Sequence, residues 1–322
     1  MQRMLFFGMK ATISIALLYF AFRLVNFGTL QERLTQLDFK WMAAALITLA
    51  IQIVLASLRW QQIADACGSK LKRTRALHYT LIGSFFNQVL PSTVGGDAAR
   101  MWLMARGTRN WKSAIYSVLI DRVAGLIWLA LLVLVCLPWS LALIQNPIGR
   151  TALILIGVGS VAGPLALFAL THAGRTWFDH WRFTRHLAEV AAIVWKVILT
   201  VRVGGTIGVI SITIHLMNIV VAWFCAKAIG SPLNLLHALL LIPPVILIAA
   251  IPVSIAGWGV REGAMVAAFT FAGLPDSDAL VISVLFGAGT FVIGALGGLA
   301  WILSGERVEI ATWRDGAPPA AP

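Results

Sequence analysis

Charged residues are scarce in this chain of 322, at 12% of positions against 59% apolar ones, where a soluble domain carries about 25% charge. That shortage excludes an ordinary soluble enzyme. It also excludes a nucleic-acid-binding domain, although Lys and Arg outnumber Asp and Glu by 25 to 13, because the basic residues fall in short stretches between apolar runs rather than on a folded polar surface. Cysteine is rarer still. Cys67, Cys136 and Cys225 are too few and too scattered for a disulfide framework or a CxxC metal site, which leaves them as packing residues. Of the 13 carboxylates, all but Asp97, Asp121 and Glu262 fall in loops, membrane borders or the tail. The clustered acids that hold a metal in a membrane-embedded phosphate-transferring enzyme are therefore missing. There is no GxSxG elbow, no HExxH helix and no P-loop, and no cofactor is expected.

What the chain has in quantity is apolar length. Runs long enough to cross about 30 Å of hydrocarbon, some 20 residues of helix each, occur near residues 11–29, 41–58, 113–137, 151–171, 206–229 and 279–303. The first contains Arg23 and lacks a small-residue cleavage site, so it reads as a retained span and not a signal peptide. Placing the N terminus inside puts 17 of the 25 Lys and Arg on that side. These include Arg3 and Lys10, the stretch from Arg59 to Arg75, the Arg106 to Lys112 turn, the segment from Arg175 to Arg202, and Arg307 with Arg314. The positive-inside rule is satisfied with both termini cytoplasmic.

That arrangement requires residues 76–106 to enter the membrane and return to the same side, turning at Pro91 to Asp97. A second segment, 234–274, leaves and re-joins the outer side, with its break at Pro243-Pro244 followed by Pro252 to Glu262. Proline and glycine interrupt helices, and irregular backbone at membrane depth is tolerated where it lines a cavity or is buried in protein. The expected fold is an all-α polytopic membrane protein with six full spans and two re-entrant helical hairpins, arranged like an inverted repeat with a polar site between their tips. The alternative is two full spans in place of each hairpin, with the glycines serving close helix packing. Residues 172–204, with Trp177, Phe178, Trp181, Phe183 and Trp195 among basic residues, read either as an amphipathic segment on the inner leaflet or as an ordinary basic loop. The organisation is a membrane domain over 1–305 and a short disordered tail over 306–322.

The two breaks repeat one pattern: Pro91 and Pro252 are each followed nine residues later by an arginine, Arg100 and Arg261, with glycines Gly95, Gly96, Gly257 and Gly259 and acids Asp97 and Glu262 between or beside them. Guanidinium suits phosphate because its planar fork donates two bonds to two oxygens. Backbone N–H groups at the start of the following half-helices add donors where the dipole favours an anion. Asp121 and Arg122 lie inside the third span; adjacent residues do not face each other on a helix, so Asp121 pairs with Arg100 or Arg261, leaving Arg122 for an anionic headgroup. A buried pair that fixes helix register is the structural alternative. Asn87, Ser92, Thr93 and Ser254 either cap broken helix ends or line a polar path. His215 and Asn218 share a face of the fifth span and suit interhelical hydrogen bonds.

These segments carry a resemblance. Asn87 to Arg100 with its Pro91, Gly95-Gly96-Asp97 core, then Asp121-Arg122, then Ile251 to Ala264 with Pro252, Ser254, Gly257, Gly259, Arg261 and Glu262, resemble the lysylphosphatidylglycerol synthase transmembrane, or flippase-like, family of bacteria and archaea. The resemblance implies a bacterial inner-membrane protein that handles lipid. Because the chain stops about 20 residues after its last span, it implies a stand-alone transport module without the synthase. The expected function is translocation of a phospholipid or glycolipid with an anionic or zwitterionic headgroup between leaflets, by a flippase- or scramblase-like protein that is not an enzyme. Two other readings remain open: a non-catalytic partner of a lipid-modifying enzyme, and a membrane-embedded transferase with Asp97 or Asp121 as base. The sequence leaves the lipid and the oligomeric state open.

Overall fold

The computed structural model describes residues 35, 37–90, 94–172, 182–251 and 257–304. The predicted span at 11–29, the tail, and Pro91, Ser92, Thr93, Pro252 and Ser254 lie outside them. Among the described residues there are ten helices and no strand: α1 Phe39–Ala66, α2 Arg73–Val89, α3 Gly95–Thr108, α4 Trp111–Leu143, α5 Pro147–His172, α6 Arg182–Leu199, α7 Val201–Ala228, α8 Leu235–Ala249, α9 Val260–Phe271 and α10 Asp276–Ser304.

Four of them, α1, α4, α7 and α10, are 28, 33, 28 and 29 residues long and apolar enough to cross a membrane. The protein is a helical membrane protein. The pairs α2–α3 and α8–α9 are different in kind, with 17, 14, 15 and 12 residues. At 1.5 Å per residue these reach about 18 to 26 Å, less than a bilayer's hydrocarbon thickness.

In the first pair α2 ends at Val89 and α3 begins at Gly95. Gly95, Gly96 and Asp97 therefore form the first turn of α3 rather than the break itself. The second pair corrects the expectation at Pro243-Pro244. Both prolines sit buried inside a continuous α8, which ends only at Ala249. Pro244 has no N–H to offer the carbonyl of Leu240 one turn back. Ser140 of α4 donates to that carbonyl instead, at 3.1 Å, so the helix persists through the pair.

Helix α10 is the common spine for both short pairs. A Cβ on Gly297 would lie 1.9 Å from the Leu81 carbonyl oxygen of α2, and one on Gly298 2.8 Å from the Phe85 ring, so the bare backbone lets α2 seat directly on it. Further along α10, Gly287 gives the same clearance to Arg261 and Trp258. Helices α1 and α7 run antiparallel, stitched by Gln52 donating to Asn218 at 3.1 Å and to the Ile214 carbonyl at 3.2 Å. His215 bonds the Gly125 carbonyl of α4 at 3.0 Å, so both polar residues of the fifth span make the interhelical bonds expected of them.

The largest core cluster joins α1, α7, α8, α9 and α10 through residues such as Leu49, Ala222, Leu241, Phe269 and Ile282. Helix α6 carries part of the 172–204 stretch. Its Val190, Val194 and Val197 pack on Ile63, Ile120 and Ile207, so this face of α6 meets protein, while Trp177, Phe178 and Trp181 of the stretch lie outside the described residues. Cys136 and Cys225 are buried, in keeping with a packing role.

Candidate functional site

Three elements converge on the polar cluster: the N-terminal turn of α3, the first third of α4 and the C-terminal part of α1. Asp121 lies ten residues into α4, about 15 Å from its start. Its two oxygens accept from Arg59 at 2.8 Å and Arg100 at 3.0 Å. Asp97 in turn accepts from Arg100 at 3.4 Å and from the Nε of Arg122. Asp97, Arg100 and Asp121 are 3%, 8% and 3% exposed, whereas the Arg122 side chain is 48% exposed. The arrangement is thus a chain of alternating charges, Arg59, Asp121, Arg100, Asp97, Arg122, buried at one end and open at the other.

Local sequence explains how α3 takes up this position. Asn87, near the end of α2, accepts the Gly96 N–H at 2.9 Å and so caps the helix that follows the break. A Cβ on Gly96 would stand 2.0 Å from the Gly83 carbonyl oxygen, while one on Gly83 would meet the Arg100 side chain at 2.9 Å. These glycines bring α2 and α3 into backbone contact with Arg100 threaded over Gly83. The Gly96 N–H, expected as a donor to a bound anion, is instead used inside the hairpin. Arg100 lies with its guanidinium carbon 4.2 Å from the centre of the fully buried Trp60 ring. A cation over an aromatic face gains from the ring quadrupole, which completes the enclosure of this arginine.

Arg59 was expected in a cytoplasmic loop. Its place in the network follows from helix periodicity: α1 extends to Ala66, and Gln52 and Arg59, seven apart, share the face that meets Asn218 and Ser211 of α7. The signal was present as a polar stripe of Ser211, His215 and Asn218 on the opposing helix. Asp121 pairs with Arg100 and not with Arg261, as the first of the two expected pairings has it.

Arg261 belongs to a second cluster. It donates to Glu262 at 2.7 Å and, through Nε, to Ser283 of α10 at 2.9 Å. Ser283 donates to the same carboxylate at 2.8 Å. Glu262 is fully buried and also accepts the Gly259 N–H at 2.6 Å. Gly257 and Gly259 have φ of 79° and 86°, the left-handed region open to glycine without a Cβ clash, and they turn the chain so that the carboxylate caps α9. The expectation that the Gly259 amide faces a headgroup is corrected: its proton is held by Glu262. The ion pairs among the described residues fall into these two groups. They differ in make-up: the second pairs Arg261 with Glu262, while the first links Arg59, Arg100 and Arg122 through Asp97 and Asp121.

The ends of both short pairs approach α4 at one level. Asp97 holds Arg122, and Ile251 beyond α8 lines the same cavity as Val123. Comparison with curated proteins and with solved structures gave no match. The family described as Lysylphosphatidylglycerol synthase TM region matches residues 9–298, a range that holds both clusters and all the described helices up to the last turns of α10. The chain belongs to that family, and the two buried arginine clusters lie within the part that defines it.

Proposed function

We propose that this protein binds the phosphate of a lipid headgroup at Arg122 and carries the lipid between leaflets, in the manner of a flippase or scramblase. The observation that supports the reading is a linked network of Arg59, Asp121, Arg100, Asp97 and Arg122 inside an apolar chain, with the Arg122 side chain half-exposed beside buried carboxylates. Ionisable side chains at membrane depth are costly and functional by default, and a phosphodiester presents oxygens that match the fork of a half-exposed guanidinium. Asp97 orients Arg122, Arg100 holds Asp97, and Asp121 with Arg59 anchors Arg100.

This reading differs from the sequence expectation in the role of Arg100 and Arg261. Both are engaged by carboxylates, and they position the hairpins rather than contact the headgroup. The short helix pairs act as re-entrant hairpins of opposite entry in a bacterial cell membrane, with both termini cytoplasmic, and their approach to α4 lets a polar group pass where acyl chains do not wet the backbone. The chain acts as a carrier and not as an enzyme, and is driven by gradients or by consumption of lipid on one side.

Replacing Arg122 by alanine tests it directly. Exchange of labelled anionic phospholipid across reconstituted vesicles is expected to fall to the rate of protein-free vesicles, and Arg122→Lys to keep part of it, since an ammonium supplies charge without the fork. Undiminished exchange by folded Arg122→Ala removes the proposal.

A further inference from the structure

A polar cavity of about 340 Å³ lies where both ends of the α2–α3 hairpin meet the turn after α1, within the range of roughly 300 to 1,000 Å³ typical of small-molecule sites. Its wall includes Ser69, Lys70 and Lys72 of that turn, Arg75 in the first turn of α2, and Gly107 near the end of α3. Among the described residues no carboxylate lines it. Lys70, Lys72 and Arg75 are exposed, and none of them is paired with an acid among the described residues. The acid nearest in sequence, Asp65, is used by the turn itself: one oxygen accepts the Leu71 N–H at 3.1 Å and the other the Gln61 amide. A Cβ on Gly107 would stand 3.8 Å from a guanidinium nitrogen of Arg75, so that side chain reaches from α2 to the bare backbone of α3. Three positive charges thus gather at one hollow with no counter-charge beside them.

Two further features point to an anion. Helix α2 begins behind Lys72, which makes no side-chain cap, and the first helical bond runs from the Ala76 N–H to the Lys72 carbonyl. The N–H groups of Arg73, Thr74 and Arg75 are left over at the positive end of the helix dipole. Ser69 is the independent observation. It is 5% exposed and lines the cavity, its backbone N–H is bonded to the Ala64 carbonyl, and its hydroxyl has no partner among the described residues. A buried hydroxyl without a bond is costly, and one that faces a basic hollow can donate to an oxyanion. We propose that this cavity binds a phosphomonoester, held by Lys70, Lys72 and Arg75, by the Ser69 hydroxyl and by the free N–H groups of α2. A monoester brings about 1.5 to 2 negative charges at neutral pH, which offsets three unpaired cations better than the single charge of a diester. A lipid such as phosphatidic acid and a water-soluble phosphate share this chemistry. The bound group would bridge the two legs of the hairpin at their open end, and the proposal does not draw on Arg122.

Calorimetric titration of the full chain in neutral detergent tests it, with inorganic phosphate and with dihexanoyl phosphatidic acid as probes at matched ionic strength. Saturable binding of at least one probe is expected. Arg75→Ala should weaken it by about tenfold or more, as the loss of a charge-assisted hydrogen bond implies, and Ser69→Ala by roughly threefold. Arg75 is exposed and unpaired, so its loss leaves the fold intact. Arg73→Ala is the control: it removes the same charge from a neighbouring position outside the cavity wall and should change binding by less than about twofold, the effect of an exposed charge screened by salt. Tighter binding of the lipid assigns the site to a headgroup, and binding of inorganic phosphate at equal or greater strength assigns it to a soluble anion. Absence of saturable binding by both probes overturns the proposal. So does equal weakening in Arg73→Ala and Arg75→Ala, which marks diffuse attraction to a basic surface. Dihexanoyl phosphatidylglycerol bound as tightly as the phosphatidic acid overturns the choice of a monoester.

Discussion

Asp121→Ala is expected to lower stability by about 3–5 kcal/mol, the cost of removing one partner from a buried charged pair. Arg59 loses its carboxylate and Arg100 the closer of its two, keeping only Asp97 at 3.4 Å, while Arg100 is 8% exposed and stacked on Trp60. Asp121→Asn keeps the shape but not the charge. It should retain a minor part of the stability, because what the guanidiniums lack is neutralisation and not an acceptor of the right size. Thermal unfolding of the purified protein in detergent measures both. A shift of Asp121→Ala within about 0.5 kcal/mol of the wild type, as expected of an ordinary surface site, is incompatible with the network described.

The second large effect concerns packing with no charge involved. In Gly297→Ala the new Cβ falls 1.9 Å from a backbone oxygen, that of Leu81, and backbone cannot rotate aside as a side chain does. Overpacking of this kind costs about 1–3 kcal/mol and occasionally more, and here it forces α2 away from α10. The hairpin carries Asn87 and, through Gly83, the seat of Arg100. The substitution should therefore reduce lipid exchange together with the melting temperature. Gly263→Ala, where a Cβ meets nothing within 4 Å, serves as the control and should match or exceed the wild type, since helical Ala is favoured over Gly by about 0.5–1 kcal/mol. Equal melting temperatures for the two variants contradict the close approach of α2 and α10.

The unequal treatment of the two proline pairs shows where sequence reading stops. Pro91 and Pro252 were expected to mark the breaks and lie outside the described residues, yet interruptions do flank them, between Val89 and Gly95 and between Ala249 and Val260. Pro243-Pro244 carried the same local signal and makes no break. What stands opposite is Ser140, a hundred positions away in the chain, whose hydroxyl lies 3.1 Å both from the Leu240 carbonyl freed by Pro244 and from the Cys136 carbonyl of its own helix and is shared between them. Nothing in the local sequence announces that partner.

The same holds for the charges. Asp97, Arg100, Asp121, Arg122, Arg261 and Glu262 stood out because ionisable residues inside apolar runs are costly and seldom accidental. Arg59 did not stand out, since it follows an apolar run at a point where a span of 20 residues would already have ended. Only the full length of α1 brings it back beside Asp121. The distinction between glycines used for clearance, such as Gly297, and glycines with open space beside them, such as Gly263, is likewise invisible in one chain, because it depends on what stands opposite.

Hydropathy and residue chemistry alone determined that this is a helical membrane protein with short, interrupted segments and a small set of intramembrane charges, since the energy of placing each group in hydrocarbon is a property of the residue itself. Which carboxylate holds which guanidinium, that the intramembrane charges fall into separate clusters, and that the Arg122 side chain is the half-exposed member of the first were decided by tertiary structure. Pairing and exposure are properties of neighbours, and the neighbours of Arg100 and Arg122 come from different helices of the chain.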